Sequence, residues 1–452
     1  KQARGTAMRR TLLLLLGLGF VLATTAFAQS PSGRSTVDRR VDRIEPQVID
    51  WRRDIHAHPE LANREERTAA MVATHLRSLD MEVRTGVAKT GVVGVLKGAE
   101  AGPVVALRAD MDALPVKERT DVPFASTDSA VFNGTRVPVM HACGHDAHVA
   151  MLMGAAEVLA SMRDTLSGTV KFLFQPAEEG APAGERGGAD LMIEEGVLEQ
   201  PKVDAVFGLH IRSKTEVGTI RYAPGPVMAA SDVFRIEVEG KQTHASTPWE
   251  GVDPIVTGAE IVTTVQTVVS RQANLADEAA VVSVGTFDAG VRNNIIPQTA
   301  QLTGTIRTLD PQMRTRIHER IRRVASATAK AMGASVDVDI NRGYPATRND
   351  PSLMRELEPA LRRSADSLVA MDPIMGAEDF SYYGREVPAV YVFVGGRRPG
   401  MERAAAPSHH TPEFFIDESG LRYGVRAYVN VALRYLDQHA SETQDGVEVE
   451  DR

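Results

Sequence analysis

The sequence predicts an α/β protein: a layered domain on a largely parallel sheet, with a smaller α/β domain inserted into it. Three observations carry this expectation. Short β-branched or aromatic runs alternate with helical patterns on both sides of residues 226–343, and such alternation produces parallel sheets covered by helices. The segment between them reads βαββαβ, the order of the ferredoxin-like split motif. A chain of 452 residues is also long enough for two domains.

In chain order, Met8-Arg9-Arg10, an apolar run from Leu12 to Leu22 and Ala26-Phe27-Ala28 have the form of an export leader. The expectation is a signal peptide over 8–28, cleaved after Ala28, and an exported protein, periplasmic or secreted. The run is shorter than the roughly 20 apolar residues of a membrane anchor. The first part of the sheet domain is expected over 36–225. Val92–Lys97 and Val104–Arg108 read as buried strands bounded by Gly and Pro. Ala147–Met162 has helical spacing with Asp146 as its N-cap, and Thr169–Phe174 and Val203–Phe207 are further strands. The inserted domain, 226–343, has strands at Phe234–Glu239, Val281–Phe287, Thr299–Thr308 and Ser335–Ile340, with helices at Asp253–Arg271 and Pro311–Met332. Residues 344–440 return to the first domain with a strand at Pro388–Val394, and the acidic, polar stretch 441–452 reads as a disordered tail.

Hydrophobic content of 43% and charged content of 24% are those of a soluble globular protein. A formal net charge of -8 leaves no electrostatic case for a nucleic-acid partner, and no later apolar run is long enough to span a membrane. The single cysteine excludes an intrachain disulfide. It lies in His141-Ala142-Cys143-Gly144-His145-Asp146-Ala147-His148, a concentration of the side chains that bind divalent metals. A free thiol in an oxidising compartment is a liability unless something occupies it, and a metal would.

Further candidate ligands fall where strands end. Asp110 and Asp112 follow Arg108, Glu178-Glu179 follow Phe174, His210 follows Phe207, and the pair His409-His410 arrives from the C-terminal part. In open α/β sheets ligands gather at the carboxyl ends of strands. Neighbours in an extended loop point opposite ways, so one of Glu178 and Glu179 can meet a metal while the other faces the substrate side. A carboxylate beside metal-activated water is an arrangement for hydrolysis. The bland readings are a solvated acidic loop for the glutamates and structural roles for His56 and His58; His141 and His148 read as neighbours of the ligands. Glu378 and Asp379 could face the mouth of the site or cap a helix.

These residues carry a resemblance. Arg52–Leu61, Ala109-Asp110-Met111-Asp112-Ala113-Leu114-Pro115, the Cys143 cluster, Gln175–Gly180, Gly208-Leu209-His210 and Gly376-Ala377-Glu378-Asp379-Phe380 occur in the order seen in the M20 metallopeptidases. The chain resembles their amidohydrolase branch, the hippurate, N-acyl-amino-acid and auxin-conjugate hydrolases, from about Val41 to Leu436. The resemblance implies a two-metal catalytic domain and an inserted lid and dimerisation domain. It implies Cys143, His145, Glu179, His210 and His410 as ligands of two divalent metals, with Cys143 bridging them. His409 competes with His410 for the last place, and the following Thr411-Pro412-Glu413-Phe414 favours His410. Glu178 is implied as general base, Asp112 as the residue that orients a ligand, and His244, in Gly240–Ser246, as a donor reaching a partner's active site in a homodimer. Asn294 and Arg307 are implied on the substrate side, where a guanidinium suits a carboxylate. The mixed donor set suits Zn²⁺ or Mn²⁺, with Co²⁺ and Ni²⁺ also compatible. The expected substrate is an N-acyl amino acid or short peptide. A carboxypeptidase or dipeptidase on the same scaffold is the alternative, and a non-catalytic metal- or peptide-binding protein the third reading.

Overall fold

A computed structural model describes residues 35–440. The expected signal peptide and acidic tail lie outside the described residues. Eight strands form the main sheet in the order Glu82–Val87, Gly91–Lys97, Ser167–Gln175, Glu100–Asp110, Ala205–Glu216, Ala389–Arg397, Thr219–Tyr222, Ser367–Ala370. The four central strands, from Ser167–Gln175 to Ala389–Arg397, are mutually parallel. Gly91–Lys97, Glu82–Val87 and Thr219–Tyr222 join antiparallel, so the sheet is parallel at its centre and mixed towards its edges. The reason lies in the connections. Chain reversals at Ala88-Lys89, both with positive φ, and at Gly218 are too short for the helical crossover that parallel neighbours need.

Side-chain alternation divides the core into two. Val105, Leu107 and Ala109 pack on one face with Val390, Val392 and Val394, whereas Val104 and Ala106 pack on the other with Tyr391 and Phe393. The first face is covered by the helices Thr36–Ala57, His145–Ala160 and Leu421–His439. His145–Ala160 is buried nearly all round, which explains its apolar composition. Its N-cap is Gly144, at φ 100°, and not the expected Asp146. Asp146 cannot cap because its Oδ2 is held by Arg52 Nε (2.7 Å) and His56 Nδ1 (2.8 Å). His56 is thus a buried structural residue, and His58 is exposed beside Asp54.

The second sheet is antiparallel throughout, in the order Ala280–Ala289, Thr299–Thr308, Ala230–Glu239, Ser335–Arg342, the arrangement of the ferredoxin-like motif. Phe234, Ile236 and Val238 face Ile261 and Val265 of helix Pro254–Gln272 and Ile317 and Ile321 of helix Pro311–Ala331. Both helices open with an aspartate cap, Asp253 and Asp310, followed by proline, a start signal readable in the sequence.

Candidate metal centre

Because the central strands run parallel, Glu100–Asp110, Ser167–Gln175 and Ala205–Glu216 deliver their carboxyl ends to one edge. There they meet the loop before helix His145–Ala160. Cys143, 7% exposed, lies with its Sγ 3.3 Å from His210 Nε2. His210 donates from Nδ1 to the Ile211 carbonyl (2.6 Å), which aims Nε2 into the site. His145 likewise donates from Nδ1 to the Asp112 carbonyl (2.8 Å), and its Nε2 is buried with no hydrogen-bond partner among the described residues. His410 Nε2 stands 3.0 Å from Glu179 Oε1. Cys143, His145 and His210 converge within metal-ligand range, as do Cys143, Glu179 and His410, and His145, Glu178 and Glu179.

Two neighbouring histidines, His148 and His409, have both nitrogens committed, whereas both nitrogens of buried His141 have no hydrogen-bond partner among the described residues. His148 donates to Asp110 Oδ1 (2.5 Å) and accepts from the Ile211 N–H (2.8 Å). His409 faces the Cys143 carbonyl at 3.1 Å and accepts from the Ser213 N–H at 3.3 Å, so His410, not His409, turns towards Glu179. Asp112 ties the loops together: Oδ1 and Oδ2 accept from the backbone N–H groups of Glu178 and Glu179, both at 3.0 Å, and Oδ1 lies 3.3 Å from His145 Nδ1. The glutamate loop bends through Ala177, at φ 55°, whose N–H is held by Glu65 (2.9 Å).

The electrostatics are those of a cation site. Burial, followed by Glu378 and Glu179, pushes the Glu178 carboxyl well above the carboxylate range. Burial, then Glu179 and Glu178, pushes the Cys143 thiol up. Burial opposes protonation of His145, yet Asp110 and Asp112 raise it to about 10. Acids so crowded hold protons for want of positive charge, and a divalent ion supplies that charge. The thiol, imidazole and carboxylate donors and the unpartnered His145 Nε2 therefore fit metal ions.

Beneath the site lies a residue whose role the sequence reading missed. Arg108, fully buried, donates to Gln175 (2.8 Å), Asp110 (2.6 Å), Glu378 (3.0 Å) and Asp379 (2.8 Å). Glu378 does both things expected of it: it accepts from the Phe380 N–H as a helix cap and lines the cavity above the donors. The only advance signal was an arginine inside an apolar strand run.

That cavity, about 590 Å³, is lined by Cys143, Glu178, Glu179, His210 and His410 and, from the small domain, by Ser231 and Arg307. Tyr344, where the chain leaves that domain, donates to the Glu178 carbonyl (2.7 Å). Arg307 donates to the hydroxyls of Ser231 and Thr305, both at 2.6 Å, and forms no ion pair with a described acid. Asn294 was expected beside Arg307 but is absent from the cavity lining. It sits instead on a two-stranded ribbon next to exposed His244, where its carbonyl accepts from the Ala245 N–H (3.1 Å). The ribbon pairing of Thr243–His244 with Ile295–Ile296 fixes this.

The sequence matches Peptidase family M20/M25/M40 over residues 106–434. It is 40% identical over 400 residues to thermostable carboxypeptidase 1 of Saccharolobus solfataricus, covering 88% of this chain and 98% of that one. It is 40% identical over 311 residues to the N-acyl-L-amino acid amidohydrolase of Geobacillus stearothermophilus, covering 69% of this chain and 80% of that one. In structure it is similar to a Bacillus subtilis dinuclear metal binding peptidase from the M20 family, with TM-score 0.74 and 35% identity over 88% of this chain and 99% of that one. Donor set, fold and sequence agree: the chain belongs to Peptidase family M20/M25/M40 and is a metal-dependent hydrolase of amides.

Proposed function

We propose that the protein is an exported N-acyl-amino-acid hydrolase that takes linear amides bearing a free carboxylate next to the scissile bond. One observation carries the reading: a single cavity is lined by metal-fitting donors, by Glu178 and by an arginine that forms no ion pair with a described acid. Cys143, His145, Glu179, His210 and His410 would hold two divalent ions, Zn²⁺ or Mn²⁺ by donor type, with Co²⁺ or Ni²⁺ compatible. Such ions, when bound, supply Lewis acidity and lower the pKa of water. Glu178 takes the proton from the attacking water and returns it to the leaving nitrogen. Asp112 fixes the backbone of both glutamates and the ring of His145, so that base and ligands keep one geometry. Arg307 binds the substrate carboxylate, its fork held by Ser231 and Thr305.

His244 and Asn294 act in a second copy of the chain, His244 donating to the carbonyl oxygen as charge develops there. Their place on an exposed ribbon supports a homodimer through the small domain, as do Trp249 at 77% exposure and the fully exposed Val291. Export rests on the leader pattern over 8–28. A carboxypeptidase is the second reading, favoured by the 40% identity to the Saccharolobus solfataricus enzyme; it needs the same carboxylate and differs on the acyl side.

Kinetics on N-acetyl amino acids, N-benzoyl amino acids and dipeptides distinguish the two readings. Faster turnover of the simple acyl substrates is expected, and a preference for dipeptides would favour the carboxypeptidase. Glu178→Gln is expected to retain metal and lose about 10²–10⁴ in rate. Wild-type turnover at full metal loading would remove Glu178 from its role.

A further inference from the structure

Arg212 lies two residues beyond His210 on strand Ala205–Glu216. Alternation along a strand puts both on one face, and both line the metal-site cavity. The residue opposite Arg212 in the neighbouring strand is Gly395, so no side chain covers it from there. Its guanidinium lies 5.1 Å from the ring centre of Phe393. Stacking of this kind accounts for the plane of the group but leaves its N–H donors unsatisfied. Among the described residues it forms no hydrogen bond and no ion pair. The charged side chains that act on it besides the Cys143 thiol are Arg221 and Arg403, cations like itself.

A half-buried cation among other cations, without an internal acid, is costly for the fold. Its side chain lines the metal-site cavity, where an anion can reach it. Arg307, the other guanidinium of the same cavity, also forms no ion pair with a described acid. The two guanidiniums come from different strands, Arg212 from Ala205–Glu216 and Arg307 from Thr299–Thr308, so the cavity offers two places where an anionic group can be read.

We propose that the enzyme's substrates are linear amides with two anionic groups, the carboxylate next to the scissile bond read by Arg307 and a second carboxylate read by Arg212. The inference rests on the reading of the protein as an N-acyl-amino-acid hydrolase and narrows its substrate class to dicarboxylic amides. The second carboxylate has two sources, the amino-acid side chain or the far end of the acyl group.

Two matched pairs distinguish them: N-acetyl-L-glutamate against N-acetyl-L-glutamine, and N-succinyl-L-alanine against its terminal amide. In metal-loaded wild type, the dianion of one pair is expected to have a kcat/KM about ten- to a hundredfold above its neutral-ended twin, the range of a charge-assisted pair. Arg212→Met keeps an aliphatic stem on Phe393 and removes the charge; the ratio should fall towards one, with Arg212→Lys in between. Equilibrium binding of the same pairs to metal-loaded Glu178→Gln should show the same preference without turnover. Ratios near or below one for both pairs in wild type overturn the proposal without any variant, as does a wild-type preference that survives Arg212→Met. Cleavage of the singly charged amides with no preference for the second charge would refute this inference alone. If none of the four amides is cleaved, the N-acyl-amino-acid reading fails and takes this one with it.

Discussion

Asp112 makes the sharpest test of how the site is held. Its two oxygens accept from two consecutive backbone N–H groups, those of Glu178 and Glu179, at 3.0 Å each, while Oδ1 also lies 3.3 Å from His145 Nδ1. Asp112→Asn preserves volume and one acceptor. Whichever way the amide is turned, its NH₂ must face an N–H donor, so one buried bond becomes a repulsive contact and the other loses its charge. Hydrogen bonds to a charged group are worth about 1.5–3 kcal/mol, and the loss falls on the loop carrying both the proposed base and the proposed ligand. Residues that orient metal ligands typically contribute 10–100-fold in metal affinity or activity. We therefore expect Asp112→Asn to weaken metal binding by about that factor, measured by competition with a chromogenic chelator, and to lower kcat further at saturating metal because Glu178 is misplaced. Asp112→Ala should do both more severely. Wild-type metal affinity and wild-type kcat in Asp112→Asn would refute the reasoning, because either the loop would not depend on the carboxylate or the loop would not carry the chemistry.

Other expectations follow from the same geometry. Asp146→Asn leaves Arg52, 1% exposed, without its principal counter-charge, and breaking a buried pair from one side costs about 3–5 kcal/mol; an unchanged urea midpoint would contradict this. Co²⁺-loaded protein should show a thiolate-to-metal charge-transfer band that Cys143→Ser abolishes, and a band that persists would exclude Cys143 as a ligand. Mixing His244→Ala with Glu178→Gln under conditions of subunit exchange should restore partial activity, since one site of the mixed dimer has both groups intact; no recovery despite proven exchange would place His244 outside the reaction. Burial, then the Asp112 charge, raises the Glu65 carboxyl to about 7. A group raised in this way favours its protonated form in the folded protein, so its contribution is complete below the unfolded pKa near 4.3 and is lost as pH rises through about 7. In chelated protein, wild-type stability should fall by up to about 3 kcal/mol more than that of Glu65→Gln between pH 5 and pH 8; parallel curves would refute it.

The site was more legible in the sequence than the frame that holds it. Cys143 and His145 sit two residues apart, and the glutamate pair and His210 end β-rich runs, so local pattern and the strand-end rule were enough to gather them. Ring geometry adds a physical reason to what the resemblance implied: both nitrogens of His148 and His409 are committed, which separates them from His145 and His410. The mixed character of the sheet escaped because it depends on short edge strands and on reversals at Ala88-Lys89 and Gly218, not on periodicity. Asp146 resembled a helix cap because its competing partners, Arg52 and His56, are 94 and 90 residues away. Asn294 was grouped with Arg307 because the resemblance implies both on the substrate side, but strand pairing leaves one beside the ribbon and the other at the cavity.

Arg108 shows why the distant part of the design matters for chemistry. Its acidic partners Glu378 and Asp379 are 270 and 271 residues away in sequence, so nothing local announces the cluster. Glu178, Glu378 and Asp379 converge within reach of one another, and burial with Glu378 and Glu179 pushes the Glu178 carboxyl up. A base must give up its proton near the working pH, and unrelieved crowding would keep Glu178 protonated. Two sources of positive charge can relieve it. Arg108 pairs with Asp110, Glu378 and Asp379 and is fixed by the fold. Metal ions held by the donors around Glu179 and the Cys143 thiol would supply further, exchangeable positive charge. Arg108 alone leaves Glu178 raised, so ionisation of the proposed base would depend on metal, and on the proposed mechanism water activation and proton acceptance would become available together. Tuning by fixed and exchangeable charge in this way makes a metal-free chain both a poor base and a poor source of nucleophile, with the same donors accounting for both.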